Sequence, residues 1–461
     1  MLLVECGPEH AAEREYAVAT LLGEFLGLEH RLLVGAAGDV VIRCPSAGVE
    51  RRLIVRDALF GRSRRLLDAA ALPRPPLPLV PRALLAEVTV LGDLPVLYGG
   101  GGAEAIRSSS ADAVIELAVD VFGAAFVLLT RLEEAVVEER DDHGRFPFSA
   151  TLAAREGFAD RPLVNEYAEL LWWALSRLWP RLPRIRHTFR IRPTHDVDWP
   201  FLSRGRLWES VRAASRDLSV RRDRSLALGR LRSTLAIRRR GRDADPFNSF
   251  AFLMQTSEAH GVPASFYFMP AATDARFDSG YSLADPWIRA LLGEVAARGH
   301  LVGVHPSYRT YLDERALRSE VALLRAACAA AQVESSPLGG RQHYLRWANP
   351  TTWRIWAAAG LDYDSTLGFA EQGGFRAGTC FEYPAFDLEQ RRALPLRERP
   401  LIAMETSFLA YQLLSPEAAA AGMRALKERC RPFGGDFVFL WHNNRLTSER
   451  ERRAYASIFD D

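Results

Sequence analysis

His187-Thr-Phe-Arg-Ile-Arg-Pro-Thr-His-Asp-Val-Asp-Trp-Pro200 is the stretch on which the fold turns. Phe189 and Ile191 alternate with Arg190 and Arg192, the period of a strand with one buried face. The strand runs into Thr194-His-Asp-Val-Asp198, and Pro200 then stops the ladder from simply continuing. Side chains alternate along an extended chain, so Asp196 and Asp198 fall on one face. Paired carboxylates beside a histidine at a strand end suit a metal ion or an acid/base pair. Taken alone, an Asp-x-Asp also caps turns.

Later stretches repeat the arrangement. Leu301-Val-Gly-Val-His305 is an apolar strand ending in a histidine, and Phe437-Val-Phe-Leu-Trp-His442 is another. Between them lie Gly339-Gly-Arg-Gln-His343, which leads on to Trp347, and Gly360-Leu-Asp-Tyr-Asp-Ser-Thr-Leu-Gly368. Helical periods separate the strands: Phe247–Gly261, Pro286–Arg298 stopped at Gly299, Arg315–Ala331, and Thr351–Ala359 stopped at Gly360. Ala264–Met269 reads as a further buried strand. Repeated βα units of this length predict parallel strands covered by helices, with polar groups gathered at the strand ends.

In this order the motifs resemble the polysaccharide deacetylase family, the NodB-like carbohydrate esterases (carbohydrate esterase family 4), over about residues 186–445. The resemblance implies a deformed (β/α) barrel of about seven strands. It also implies a metal-dependent hydrolase that removes acetyl from an N-acetylated sugar or a sugar-containing intermediate. The family opens with Thr-Phe-Asp-Asp, and Thr194–Asp198 looks like its Asp-x-Asp variant. Asp196 is then the general base, Asp198 a metal ligand, Arg341 the arginine that orients the base, and His442 the general acid. Asp362 and Asp364 fall in the fourth motif; Tyr308, Trp347 and Asp364 are the expected substrate contacts.

One departure stands out. The family supplies two histidine ligands four apart, but this chain reads His305-Pro-Ser-Tyr-Arg309, and a guanidinium cannot hold a cation. Asp198 and His305 fall short of the three protein ligands a zinc site generally needs. His343 is the candidate third ligand, since a strand-like path would turn it to the same face as Arg341; a pocket histidine is the other reading. One carboxylate and two imidazoles suit zinc or another late divalent metal. A histidine at 309 is expected to restore some affinity to a His343→Ala variant.

At 461 residues, 48% hydrophobic and 25% charged, the chain has room for two domains with cores of their own. The expected division is an N-terminal α/β module at 1–185, bounded by Pro180 and Pro183, and the barrel at 186–461. In the module, strands are expected at Leu2–Glu5, Val40–Arg43 and Leu53–Val55, and helices at Glu13–Leu26, Ala111–Glu139 and Leu163–Leu178. Trp172, Trp173 and Trp179 read as an interface to the barrel. Gly99–Gly102 lacks the Lys-Ser/Thr of a phosphate loop and reads as a turn, and His143 reads as a turn or surface histidine. Five scattered cysteines with no Cys-x-x-Cys argue against a disulfide framework.

A net charge of +2 gives no global attraction for nucleic acid. No secretory leader is read at the start, and Ala113–Thr130 carries Glu116 and Asp120, so no transmembrane segment is expected and the reading is cytoplasmic. The insert at 204–242 is unusual: thirteen arginines and no lysine against Glu209, Asp217 and Asp223. It is either a solvated excursion or a surface for a phosphate-linked sugar carrier, an anionic lipid or nucleic acid. Three functions stay open: a carbohydrate deacetylase, an inactive glycan-binding barrel, and an interaction protein working through the insert.

Overall fold

The computed structural model describes every residue except 36–37, 46–50, 109–112, 203–206, 220–221, 223, 279, 335 and 461. The strands of the C-terminal half are β1 (Arg190–Val197), β2 (Ser265–Phe268), β3 (Leu301–Val304), β4 (Gly339–Gly340), β5 (Tyr363–Asp364), β6 (Tyr383–Asp387), β7 (Arg392–Glu398), β8 (Ala403–Met404) and β9 (Asp436–Leu440). They join in the order β6-β7-β5-β4-β3-β2-β1-β9-β8, every neighbouring pair parallel except β6 and β7. β2 and β9 are short runs buried at every position, as a parallel sheet covered on both faces requires. Helices Phe250–Ala259, Pro286–Ala297, Glu314–Ala330 and Thr351–Ala358 fill the connections within a residue or so of their expected ends, three at the start of Phe250–Ala259.

The α/β character is as expected, but the hydrogen-bonded row has two ends, so no ladder closes a barrel among the described residues. β8 at one end and β7, next to the other, are nevertheless parts of one stretch. β7 pairs with β5 and β8 with β9, and only residues 399–402 separate β7 from β8. In that gap the Leu401 amide donates to Leu367 and the Ile402 amide to Val438. Pro400 has no N–H to give, which breaks a ladder that would otherwise run through. The run 392–404 thereby reaches from β7, next to one end of the row, to β8 at the other.

Close approach matters most at β4. A Cβ on Gly340 would lie 1.7 Å from the Val304 carbonyl oxygen, so only glycine lets β4 sit this near β3. The next residue, Arg341, is thereby delivered to the ends of the central strands.

The N-terminal half carries its own six-stranded sheet, ordered His30–Val34, Leu2–Cys6, Val40–Arg43, Arg52–Val55, Val114–Leu117, Ile106–Ser108. One expectation fails here. Ala111–Glu139 is not one helix: Val114–Leu117 is a strand, and helices follow at Val121–Leu129 and Leu132–Val136. Ile115 and Leu117 point inward and Glu116 outward, a period of two that the apolar helix behind it hid. Asp120 caps the helix that follows, its carboxylate accepting the Gly123 amide. Glu13–Leu26 is helical but changes from α to π winding at Ala19.

Arg184 lies over Trp172 and Trp173 meets Arg177 and Glu87, while both rings pack against the apolar cluster to which Trp179 belongs. Polar contacts across the halves are made by other residues. Glu134 is held by Arg376, the Asn165 carbonyl accepts from Thr379 and Cys380, and the Tyr383 hydroxyl donates to Leu129. A single apolar cluster runs through both halves.

Candidate active site

Strand β1 sorts its residues by face. His195 and Val197 turn to the helix layer, where burial pushes the His195 imidazole down to about 3 and its Nδ1 donates to the Trp441 carbonyl. Thr194, Asp196 and Asp198 turn the other way. Arg341 meets them there, fully buried and held by four groups. It donates to Asp196 Oδ1 (3.0 Å), Thr194 Oγ1 (2.8 Å), Ser365 O (2.8 Å) and Ser365 Oγ (2.9 Å). Only one of its nitrogens reaches the carboxylate, so the hold on Asp196 is single and not a fork.

Around Asp198 three imidazoles converge. Nε2 of His305 lies 3.0 Å from Asp198 Oδ1, Nε2 of His343 lies 3.5 Å from the same oxygen, and Nε2 of His442 lies 3.5 Å from Oδ2. Each ring is turned by a partner at its other nitrogen. His305 Nδ1 donates to the Arg341 carbonyl (2.7 Å), His343 Nδ1 bonds Asp278 (3.0 Å), and His442 Nδ1 bonds Glu405 (2.6 Å). This is how proteins aim metal-binding imidazoles.

The chemistry of the contact decides what it needs. A carbonyl can only accept, so the His305 Nδ1 carries the proton and a neutral ring offers a lone pair at Nε2. That lone pair faces a carboxylate oxygen at 3.0 Å, both atoms are buried, and neither has a hydrogen-bond partner. Two acceptors in this position call for a cation between them. The donor atoms of Asp198, His305 and His343 lie within 4.8 Å of one another, a set of three that fits a divalent metal. With no metal bound, a proton on His305 serves: burial alone would lower its pKa, but the charges of Asp196 and Asp198 raise it. For Asp198 the same neighbours, His343 foremost, overcome burial and hold the carboxyl far below its usual range.

His442 is tuned for a different task. Burial opposes its charge, yet the Glu405 carboxylate, with smaller help from Asp198 and Asp196, lifts it to about 9. Glu405 is buried, and the imidazolium keeps it ionised below its ordinary range.

Asp196, Asp198, His305, His343 and His442 all open onto one cavity of about 260 Å³. Phe277, Tyr344 and Tyr411 supply aromatic wall, and Arg145 reaches in from the N-terminal half. The Arg145 guanidinium is fixed by Asp141 (2.7 Å) and the Tyr411 hydroxyl (3.0 Å). His143 lies in a turn as expected, and its Nδ1 meets the Tyr308 hydroxyl at 3.0 Å, behind the wall.

The remaining expected residues sit outside the cavity lining. Tyr308 stacks on Phe277 at 4.3 Å between ring centroids and backs the wall. Trp347 is buried against Trp353, 4.8 Å between centroids, so it packs the core rather than contacting substrate. Asp364 is fully buried and pushed by burial to about 7. It accepts from Thr366, whose hydroxyl in turn accepts the Gln342 amide, so it props the loop bearing Arg341 and His343. Arg309 points outward to Asp274 (2.8 Å) and takes no part in the donor set.

Comparison with known proteins gives three results. Residues 2–180 match a family of unknown function (DUF7033). No curated protein matches the chain significantly. Among solved structures it is similar to a putative polysaccharide deacetylase from Mycobacterium smegmatis (18% identity, TM-score 0.39, covering 59% of this chain and 83% of the other). It is also similar to Puue allantoinase (11%, 0.37, 60% and 83%) and to a probable polysaccharide deacetylase from Pseudomonas aeruginosa PAO1 (13%, 0.36, 59% and 84%). No helix among the described residues is long and apolar enough to cross a membrane.

Sequence reasoning missed Asp278, Glu405 and Arg145. Glu405 had a signal, because it directly follows the apolar run Leu401–Met404 at a strand end, where the other site residues also sit. Asp278 lies between regular elements and Arg145 just past a turn, 49 residues before Thr194, so no period marks either.

Proposed function

We propose that the chain is a metal-dependent hydrolase that removes an acetyl group from an N-acetylated sugar or a sugar-containing intermediate. The observation that carries the reading is the convergence of three oriented imidazoles on Asp198, with two buried acceptors face to face. Asp198, His305 and His343 would hold a divalent cation, and their two nitrogens favour zinc or another late metal over magnesium. Such an ion, when bound, polarises an amide carbonyl and acidifies a water molecule. Asp196, oriented by Arg341, takes the proton from the attacking water, and protonated His442 delivers one to the departing amine. The sugar enters as substrate on the strength of the motif order, and the aromatic wall offers faces for it. We also read the nine-stranded row as a deformed barrel of seven positions opened at Pro400, with residues 1–185 as a separate module.

The test is metal content after dialysis together with acetate release from N-acetylated sugars. His343→Ala should weaken metal binding by more than the roughly 10–100-fold that loss of an outer partner causes, and Asp278→Asn should fall within that range. Arg309→His in the His343→Ala variant is expected to restore nothing, because the side chain at 309 points to Asp274 and away from the donor set. Metal retained in His343→Ala removes His343 from the ligand set. Full metal without turnover of any N-acetylated sugar leaves a glycan-binding barrel.

Glu405 gives a pH test. His442 must be protonated to act as an acid, so the rate should fall on the alkaline side as it titrates. Glu405 raises that titration to about 9. Glu405→Gln should therefore move the alkaline limb of kcat/KM to lower pH and leave metal content unchanged. An unmoved limb would assign it to another group.

A further inference from the structure

The insert after β1 folds into a helical hairpin of α1 (Leu207–Ser219) and α2 (Arg224–Arg240). The seam is fixed by two contacts. The hydroxyls of Ser210 and Thr234 lie 2.6 Å apart, and Asp217 pairs with Arg230 at 2.7 Å, so the helices run antiparallel. Large apolar side chains then sit in water. Leu207, Trp208, Val211, Leu218, Leu228 and Leu235 are 44–63% exposed, and Trp208 is the most exposed of them.

Their positions follow a rule. Val211 and Leu218 each come one residue after the seam residues Ser210 and Asp217. Leu228 and Leu235 each come one residue after buried Ala227 and Thr234. One residue is a turn of about 100° in the direction the helix winds. In an antiparallel pair, the same turn away from the seam brings both stripes to the same side of the hairpin. Arg232 and Arg239 are exposed four residues beyond Leu228 and Leu235, in the same stripe, and Arg212 and Arg216 are exposed along α1.

We propose that this face of the hairpin docks on the surface of an anionic lipid bilayer. The exposed leucines, valine and tryptophan would enter the headgroup boundary, and the arginines would pair with lipid phosphates around them. Thirteen arginines against three acidic residues over 204–242 supply the charge complementarity. Nucleic acid is the poorer fit, because four aliphatic side chains at the centre of the face have nothing to meet on a phosphate backbone. The inference is independent of the hydrolase reading. Because α1 begins nine residues after Asp198, docking would bring a membrane surface to the chain segment that leaves the site.

The test is flotation of the full chain with vesicles of phosphatidylcholine alone or with about 30% phosphatidylglycerol added. Binding is expected only to the anionic vesicles and should weaken with salt. Leu228→Ser with Leu235→Ser, and separately Arg232→Gln with Arg239→Gln, should each reduce it by at least about tenfold. Leu67→Ser with Leu84→Ser, equally exposed elsewhere, is the control and should change nothing. Overturning results are equal binding to neutral and anionic vesicles, no binding to either, or leucine variants that bind like the parent. Tight binding of single-stranded DNA that is lost in the arginine variants but kept in the leucine variants would assign the face to nucleic acid instead.

Discussion

Asp196→Asn is expected to lower turnover by about 10²–10⁴-fold while bound metal stays at the parent level. The asymmetry follows from where its oxygens go. Oδ1 accepts from Arg341, and Oδ2 lies 3.8 Å from the protonated Nδ1 of His305, not near its ligating nitrogen. Asparagine keeps an oxygen for Arg341, so the buried guanidinium is not orphaned and the fold survives. What is lost is a basic oxygen able to take a proton from water. Asp198→Asn should behave differently, losing metal and turnover together, since Asp198 is where all three Nε2 atoms meet. Metal analysis beside acetate release reads both variants. Equal metal loss in the two would show that Asp196 is a ligand and would leave the reaction without an assigned base.

Legibility of the site tracked strand ends. Asp196, Asp198, His305 and His442 each close an apolar run of period two or of continuous burial, so a short local pattern marks them. His343 was within reach because it lies two residues past Arg341, although the turn at 343–345 brings it to Asp198 rather than a continued strand. That Arg341 holds Asp196 through one nitrogen has a reason no sequence displays: Ser365 takes Nε and Nη2, and Thr194 shares Nη1 with Asp196. Asp278 and Arg145 were invisible for the same reason, as their meaning comes from contacts across 65 and 266 residues. The helix misread at Ala111–Glu139 shows the opposite failure. There a four-residue strand was absorbed into the pattern of the apolar helix behind it.

Glu134→Ala is expected to destabilise the protein by about 3–5 kcal/mol. Glu134 sits between two guanidinium groups, accepting from Arg131 Nε (2.8 Å), Arg376 Nε (2.9 Å) and Arg376 Nη2 (2.6 Å), with every partner 4% exposed or less. Burial would raise its pKa, but Arg376 and Arg131 together hold it down. With Glu133 accepting from Arg131 Nη2 and the Arg376 carbonyl from Nη1, two cations balance two anions, and deleting one anion leaves a buried positive charge uncompensated. Replacing all four of Arg131, Glu133, Glu134 and Arg376 by methionine should cost far less than the single change, since no buried charge is then orphaned. The network also has a functional reach. Arg376 donates to the Gly368 carbonyl, and the loop from Ser365 to Gly368 is the one that holds Arg341 against Asp196. Glu134→Ala should therefore lower the urea midpoint and reduce turnover at temperatures where the protein is still folded, with metal content unaffected. A loss of under about 1 kcal/mol would mean that the apolar cluster shared by the two halves, not this charge network, fixes the N-terminal half to the site.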